Sequence, residues 1–208
     1  MKMMNQLPWQ IIEGAVASPA AVARALRQQL GPHPVPMPDA RTRGLLLEVA
    51  GDVAARTQLG ASHPVLAAAL APFLQNPDAL YLVAVNETPP SAPAEFLMRP
   101  HVDQRWLGPG QGFSPAAARV TTVVFLDFPP SGQGGELVLF PGATPAELAA
   151  LPPTDVRPAV AQLGGVLVAP RPGQACRLVG ALPHAVLGYA AAPAAAWRLV
   201  AVVGEFAP

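Results

Sequence analysis

The sequence predicts a mainly β protein with helices at its N-terminal end. After residue 78, short runs rich in Val, Leu and Phe alternate with Gly and Pro turns, whereas the chain before them shows helical periodicity. About eight such runs are typical of an antiparallel sandwich or barrel, such as a double-stranded β-helix (jelly roll). We therefore predict a single domain over residues 1–208, with a mostly helical part at 1–78 packed on a double-stranded β-helix core at 79–208.

The N-terminal elements are predicted from helix start and stop signals. Trp9–Glu13 is expected to form a short strand. Ala20–Leu30 is expected to be a helix, because Ser18-Pro19 precedes it as a cap and first helical residue. The proline-rich stretch Gly31–Pro38 is expected to be a linker, and a second helix is expected over Pro64–Leu74.

The C-terminal elements are predicted as strands separated by turns. One or two helical turns are expected between two of these strands, at Thr144–Leu151. The predicted strands are Leu80–Val85, Glu95–Pro100, Val120–Asp127, Glu136–Phe140, Gly165–Ala169, Ala175–Val179, Ala185–Tyr189 and Arg198–Glu205.

Composition excludes several classes of protein. Thirteen Lys and Arg balance thirteen Asp and Glu, so the chain has no electrostatic footprint for nucleic acid or anionic lipid. Cys176 is the only cysteine, which excludes an internal disulfide, and we expect it to be a small buried hydrophobic residue. The N-terminus lacks the features of a signal peptide, and the uncharged stretch Leu178–Trp197 is interrupted by prolines. We therefore predict a cytoplasmic protein without a membrane span.

Two histidines and one aspartate of the β half form a candidate metal site. His101 and Asp103 are two residues apart, so on a strand their side chains project from the same face. A jelly roll can bring His184 from a distant strand to the same point. Two His and one carboxylate leave three coordination positions open on Fe(II). His33 and His63 lie outside the β half, and we do not expect them to bind metal.

Six short motifs follow one another in the β half of the chain. They are Arg99-Pro-His-Val-Asp103, Arg119-Val-Thr-Thr-Val-Val-Phe-Leu126, Gly134-Gly-Glu-Leu137, Pro170-Arg-Pro-Gly173, Pro183-His-Ala-Val186 and Trp197-Arg-Leu-Val200. Their order resembles that of the Fe(II)/2-oxoglutarate-dependent oxygenases, and in particular the prolyl-4-hydroxylase-like branch. The resemblance covers about residues 79–206.

This resemblance implies a set of functional residues. It makes His101, Asp103 and His184 the ligands of Fe(II), and it makes Arg198 the partner of the distal carboxylate of the cosubstrate 2-oxoglutarate. A guanidinium suits that role because it offers a planar, bidentate fork to a carboxylate. Cys176 is given no role. Ascorbate is implied as a reductant that supports turnover.

Three departures from the branch pattern bear on the cosubstrate site. Phe125 stands where a tyrosine often binds the cosubstrate, so Thr121, on the same strand face, is a candidate to supply a hydroxyl group instead. Asn86 stands in place of a second tyrosine and is a further candidate for contact with the cosubstrate. The Ala-rich insert 190–196 lengthens the segment between His184 and Arg198.

The implied activity is hydroxylation of an unactivated C–H bond, coupled to decarboxylation of 2-oxoglutarate by O₂. Asp103 favours hydroxylation, because related halogenases have a small residue at that position. We predict an amino acid or another small molecule as substrate. The alternatives are a prolyl residue of a peptide or protein, or a non-catalytic, cupin-like metal-binding protein. Arg99, Arg105 and Trp106 are candidate substrate contacts beside the metal motif, and a homodimer is left open.

Overall fold

The computed structural model describes residues 7–192 and 197–208. Residues 1–6, at the end assessed for a signal peptide, and residues 193–196 of the Ala-rich insert lie outside the described residues. The strands are β1 (Trp9–Ile12), β2 (Gly31–Pro32), β3 (Arg43–Ala50), β4 (Leu80–Thr88), β5 (Phe96–His101), β6 (Gln104–Gly108), β7 (Gly112–Ala117), β8 (Val120–Asp127), β9 (Gln133–Gly134), β10 (Leu137–Leu139), β11 (Val166–Val168), β12 (Ala175–Val179), β13 (His184–Leu187), β14 (Tyr189–Ala190) and β15 (Arg198–Phe206). The helices are α1 (Pro19–Arg27), α2 (Val53–Ser62), α3 (Pro64–Leu70), α4 (Pro145–Ala149) and α5 (Val156–Gln162), and a 3₁₀ turn spans Ala71–Phe73.

Two antiparallel sheets face each other. The larger has seven strands in the order β1-β12-β8-β15-β4-β3-β2, and the smaller has four in the order β11-β10-β13-β5. Apolar side chains from both sheets, such as Val123 and Phe125 of β8 and Leu137 and Leu139 of β10, form one buried cluster. This arrangement confirms the predicted mainly β jelly roll.

Alternation along β4 and β15 gives the larger sheet two different faces. Val83 and Val85 point toward the side covered by the N-terminal helices and join their apolar cluster. Asn86 and Thr88, which have the opposite parity, line a cavity between the two sheets. The larger sheet is therefore the wall between the helical layer and the candidate site.

An ion network fastens α1 to the outer face of this wall. Arg27 donates from Nε to Glu87 at 2.6 Å and from a terminal nitrogen to Asp127 at 2.7 Å. Arg43 reaches the second oxygen of Glu87 at 3.2 Å. Because Glu87 is nearly inaccessible, the two arginines compensate the burial of its charge.

The N-terminal part contains more β structure than the sequence predicted. β1, β2 and β3 all belong to the larger sheet, so residue 78 does not separate a helical part from the β core. β3 was missed because its Leu-rich run has no clear alternation, and its pairing with all of β4 from Leu80 to Glu87 determines its conformation. α2 was missed because only Leu59 of this helix is buried, so no apolar stripe marks it.

The segment after the metal motif is also more regular than predicted. No strand was predicted between Pro100 and Val120, whereas β6 and β7 form an antiparallel hairpin there. Gly108, Gly110 and Gly112 have positive φ angles, which a glycine adopts without steric cost and which allow the tight reversal. α5 was not predicted either. None of the helices in the described part of the chain is long and apolar enough to span a bilayer.

Candidate metal centre and cosubstrate cavity

The pairing of β5 with β13 brings the two histidines of the candidate metal site together. His101 lies directly opposite His184 in the register of these strands, and their ring centroids are 4.5 Å apart. Asp103 follows two residues after His101. One potential ligand atom from each of these three residues lies within 4.8 Å of the other two. The fold therefore assembles the three residues that the sequence analysis selected.

Backbone carbonyls fix the protonation of both imidazoles. His101 Nδ1 lies 2.8 Å from the carbonyl oxygen of Arg99, and His184 Nδ1 lies 3.1 Å from that of Leu182. A carbonyl oxygen can only accept a hydrogen bond, so each Nδ1 carries the proton. Nε2 of each ring is thereby directed to the centre of the cluster, and the Nε2 lone pair of a neutral ring is the group that binds a metal ion.

Asp103 supplies the negative charge of the cluster. Its Oδ1 lies 3.7 Å from His101 Nε2, and its Oδ2 lies 3.3 Å from His184 Nε2. Burial opposes ionisation of this carboxyl, but the adjacent His184 and His101 outweigh that effect and lower the pKa of Asp103. Oδ2 is buried and has no hydrogen-bond partner among the described residues. A carboxylate that lies beside Nε2 of two imidazoles in this way fits a divalent cation, which would replace the protons shared by these groups.

The cluster opens into a cavity of about 350 Å³ between the two sheets. β4 and β15 form its deep wall, and two segments form its mouth. One of these segments, residues 33–39, is called the strap below, and the other is the β6–β7 hairpin. This volume falls within the usual range for small-molecule sites.

Arg198 points into this cavity from the first position of β15. It is only 2% exposed, and its Nε has no hydrogen-bond partner in the described part of the chain. Within residues 7–192 and 197–208, no carboxylate forms a salt bridge with it. Burial lowers the pKa of Arg198 to about 10, so it remains a cation at neutral pH. A buried, unpaired guanidinium is costly, and an anionic ligand would compensate it.

Thr88 lies directly opposite Arg198 on β4 and also lines the cavity. Its hydroxyl is buried, and none of the residues that the structure describes forms a hydrogen bond with it. Sequence reasoning missed this residue, although the alternation of Ala84, Asn86 and Thr88 along β4 could have indicated it. Two polar groups that lack partners thus face the same end of the cavity.

Tyr189 joins the backbones of these two strands. Its hydroxyl donates to the carbonyl oxygen of Thr88 at 2.6 Å and accepts from the backbone N–H of Arg198 at 2.8 Å. Burial raises the pKa of Tyr189 to about 12, so the hydroxyl keeps its proton. This contact holds the Thr88–Arg198 pair in register where β15 begins.

His33 enters the cavity from the strap, whereas the sequence placed it in a linker outside the β half. Its Nε2 lies 2.7 Å from Asn86 Oδ1, and the N–H of Val35 reaches its Nδ1 at 3.1 Å. The carbonyl oxygen of Val35 also lies 3.0 Å from Nδ1. Because Asn86 Oδ1 can only accept, Nε2 donates to it, which leaves the NH₂ group of Asn86 available to a ligand. A β-carbon at Gly44 would lie 2.0 Å from the ring, so this glycine makes room for His33.

Thr121 is not brought to the cavity, contrary to expectation. It lies opposite Gly204 on β15, six residues from Arg198, which corresponds to about 20 Å along a strand. Phe125, on the same face, packs into the cluster between the sheets. The alternation of side chains predicted the correct face of β8 for Thr121, but Thr121 lies at the wrong end of the strand to reach the cavity.

Only one of the three candidate substrate contacts lines the cavity. Trp106 lines the cavity beside Phe113, with ring centroids 4.9 Å apart. Arg105 instead pairs with Glu48 through two hydrogen bonds of 2.8 and 2.9 Å on the surface. Arg99 donates to the carbonyl oxygen of Leu151. Neither arginine lines the cavity. Arg105 is adjacent to Trp106 and has the opposite parity, whereas Arg99 shares the parity of His101 but lies at the register shift between Met98 and His101 in the pairing of β5 with β13.

Comparison of the structure with solved structures identifies the fold as that of the Fe(II)/2-oxoglutarate-dependent oxygenases. A prolyl-4-hydroxylase from Pseudomonas putida has a TM-score of 0.50 at 17% identity, covering 97% of this chain and 93% of that chain. A member of the 2OG-Fe(II) oxygenase family from Burkholderia pseudomallei has a TM-score of 0.55 at 16% identity, covering 97% and 86%.

HygX from Streptomyces hygroscopicus, with nickel, 2-oxoglutarate and hygromycin B bound, has a TM-score of 0.51 at 17% identity, covering 97% of this chain and 83% of that chain. No family model matches the sequence, and no curated protein matches it. The fold that the motif order implied is thus confirmed by structure, at identities too low to transfer a reaction.

Proposed function

We propose that this chain is an Fe(II)- and 2-oxoglutarate-dependent oxygenase that hydroxylates a C–H bond of a small molecule. One observation carries the proposal: the cluster of His101, Asp103 and His184 shares a cavity with a buried, unpaired Arg198. The first group suits a divalent metal, and the second suits a carboxylate. The fold shared with HygX, whose structure holds nickel and 2-oxoglutarate, supports the same assignment.

The metal would be held by His101 Nε2, His184 Nε2 and the carboxylate of Asp103. The proton on each Nδ1 is committed to a backbone carbonyl, so the rings need no reorientation to bind. Two neutral imidazoles and one carboxylate reduce the charge of a divalent ion without cancelling it. The centre therefore retains attraction for an anionic cosubstrate.

The distal carboxylate of 2-oxoglutarate would be held at the Arg198–Thr88 pair. Arg198 supplies a charge and two or more N–H donors, and the hydroxyl of Thr88 supplies another donor. The NH₂ group of Asn86 provides a third contact from the same wall. This assignment replaces Thr121, whose position on β8 excludes it from the cavity.

When bound, the iron supplies oxidation of a substrate C–H bond by O₂, coupled to loss of CO₂ from 2-oxoglutarate. The protein contributes position and exclusion of water. Tyr189 fixes the register of the anion-binding pair, and the two Nδ1 contacts fix the imidazoles. Trp106 and Phe113 shield the mouth of the cavity on the hairpin side. The chain thus orients the cosubstrate between a cation and the metal triad.

The alternative is a non-catalytic, cupin-like metal-binding protein, and a direct experiment distinguishes it from an oxygenase. Under anaerobic conditions, 2-oxoglutarate added to the Fe(II)-loaded protein should produce a weak visible charge-transfer band. The matched variants are Arg198→Met, which should need far more 2-oxoglutarate to give the band, and Arg177→Met, an exposed arginine of β12 that should behave as wild type. Iron binding without the band in the wild-type protein would refute the oxygenase assignment.

A further inference from the structure

We propose that the substrate of this site is an uncharged molecule with a compact apolar body, held between the hairpin and the strap. The inference rests on the proposed function, because it assigns the metal triad and Arg198 to the metal and the cosubstrate. It concerns only the remainder of the cavity.

Apolar side chains cover most of that remainder. Both sheets contribute aliphatic groups, among them Leu46, Val123, Leu137, Val186 and Val202. The mouth adds Met37 of the strap and Met98 of β5, together with Trp106 and Phe113 of the hairpin. Phe113 is 52% exposed, so an apolar molecule bound at the mouth would remove part of its ring from water.

Every charged side chain of the described cavity already has another role. Besides histidines, only Asp39, Asp103 and Arg198 carry charge among its described lining residues. Asp103 belongs to the metal triad, and Arg198 is committed to the cosubstrate. Arg41 holds Asp39 with contacts of 3.1 Å from Nε and 2.8 Å from a terminal nitrogen, and its hydrogen bonds lower the pKa of that carboxyl.

A charged substrate would therefore lose hydration without gaining a partner. An amino acid needs a cation for its carboxylate and an anion for its ammonium group, and the described part of the cavity offers neither in an unpaired form. His33 Nε2 donates to Asn86 Oδ1, and the NH₂ group of Asn86 is assigned to the cosubstrate. Thr42 and Gln104 also line the cavity, and these uncharged groups suit one hydroxyl or carbonyl of a neutral molecule.

Calorimetry with matched pairs of probes tests this inference on the protein loaded with Ni(II) and 2-oxoglutarate. Each alcohol carries the side chain and Cα of its amino acid but lacks the ammonium and carboxylate groups: 2-phenylethanol is paired with L-phenylalanine, and 3-methylbutan-1-ol with L-leucine. We expect each alcohol to bind at least tenfold more tightly than its amino acid. Equal or tighter binding of the amino acids overturns the proposal, and so does failure of both alcohols to bind.

Two hairpin variants locate the binding. Trp106→Ala should weaken alcohol binding severalfold while leaving the affinity for 2-oxoglutarate unchanged. Leu107→Ala is the matched control, because Leu107 lies next to Trp106 but outside the cavity lining. Unchanged alcohol binding in Trp106→Ala overturns the placement at the hairpin. A wild-type protein that does not bind 2-oxoglutarate would instead refute the proposed function. Failure of the proposed function can therefore be distinguished from failure of the substrate inference.

Discussion

Replacing Arg198 by Met should move two measurable quantities in opposite directions. The ligand-free protein should become more stable, because the variant no longer buries an unpaired cation, and Met fills a similar volume. Burial lowers the pKa of Arg198 to about 10 from 12.5. This difference corresponds to at most about 3 kcal/mol. In a chain of this length, about 2–4 °C in Tm accompanies each kcal/mol, so Tm should rise by several degrees.

The affinity for 2-oxoglutarate should fall in the same variant. Loss of a charge-assisted, bidentate contact corresponds to about 2–5 kcal/mol, or roughly thirtyfold and more in Kd. Arg198→Lys should be intermediate, because it keeps the charge but not the fork. Thr121→Val is the control, since Thr121 lies at the far end of the larger sheet and should not affect Kd.

The stability difference also has a defined pH dependence. Because the folded-state pKa of Arg198 is lower than the unfolded one, the unfolded chain binds the proton more tightly. The free-energy cost of burying the charged Arg198 in the wild-type protein is fully present below about pH 10 and decreases as pH rises above that value. Wild type and Arg198→Met should therefore differ by a constant amount at pH 7–9.

Urea unfolding with and without 2-oxoglutarate, together with equilibrium dialysis of the nickel-loaded protein, measures both effects. An unchanged Kd for 2-oxoglutarate in Arg198→Met would refute the assignment of this residue to the cosubstrate. A less stable ligand-free variant would contradict the view that the guanidinium lacks a partner in the folded chain.

Three further predictions concern other residues of the cavity and core. Asp103→Gly should abolish hydroxylation even where iron is retained, as product analysis and metal content would show; retained hydroxylation contradicts the triad. His33→Phe should raise the KM for 2-oxoglutarate severalfold with one iron per chain, because Asn86 loses its hydrogen bond, whereas the surface variant His63→Gln should change neither quantity. Burial raises the pKa of Cys176 to about 12, so the folded protein should resist thiol reagents at pH 8 and react only after unfolding; rapid labelling of the native protein would contradict its placement in the core.

The sequence predicted the elements whose residues alternate regularly between Gly or Pro turns. β8 and β12 occur over the predicted residues Val120–Asp127 and Ala175–Val179. β3 escaped prediction because its conformation depends on hydrogen bonds to β4, which lies more than thirty residues away in the sequence. α2 escaped because it is a largely exposed surface helix, and its start is marked only by Asp52, which caps the N–H of Ala55.

The three residues of the candidate metal site could be selected from the sequence because they lie in short motifs of recognisable type. The rest of the site depends on cross-strand register, which has no local sequence signal. Thr88 becomes a neighbour of Arg198 only through the pairing of β4 with β15. His33 reaches Asn86 only because the strap folds over the sheet beside Gly44. The error at Thr121 has the same origin, since a face can be inferred from parity but a position along a strand cannot.

The division of the cavity between its deep wall and its mouth has a consequence for evolution and engineering. The metal ligands and the Thr88–Arg198 pair belong to strands of the two sheets or directly follow them. The strap and the hairpin tip, in contrast, project from these sheets and add little to the buried clusters. Under the proposed function, exchanging these two segments between proteins of this fold would therefore alter which molecule is bound while the proposed metal and cosubstrate sites are left intact.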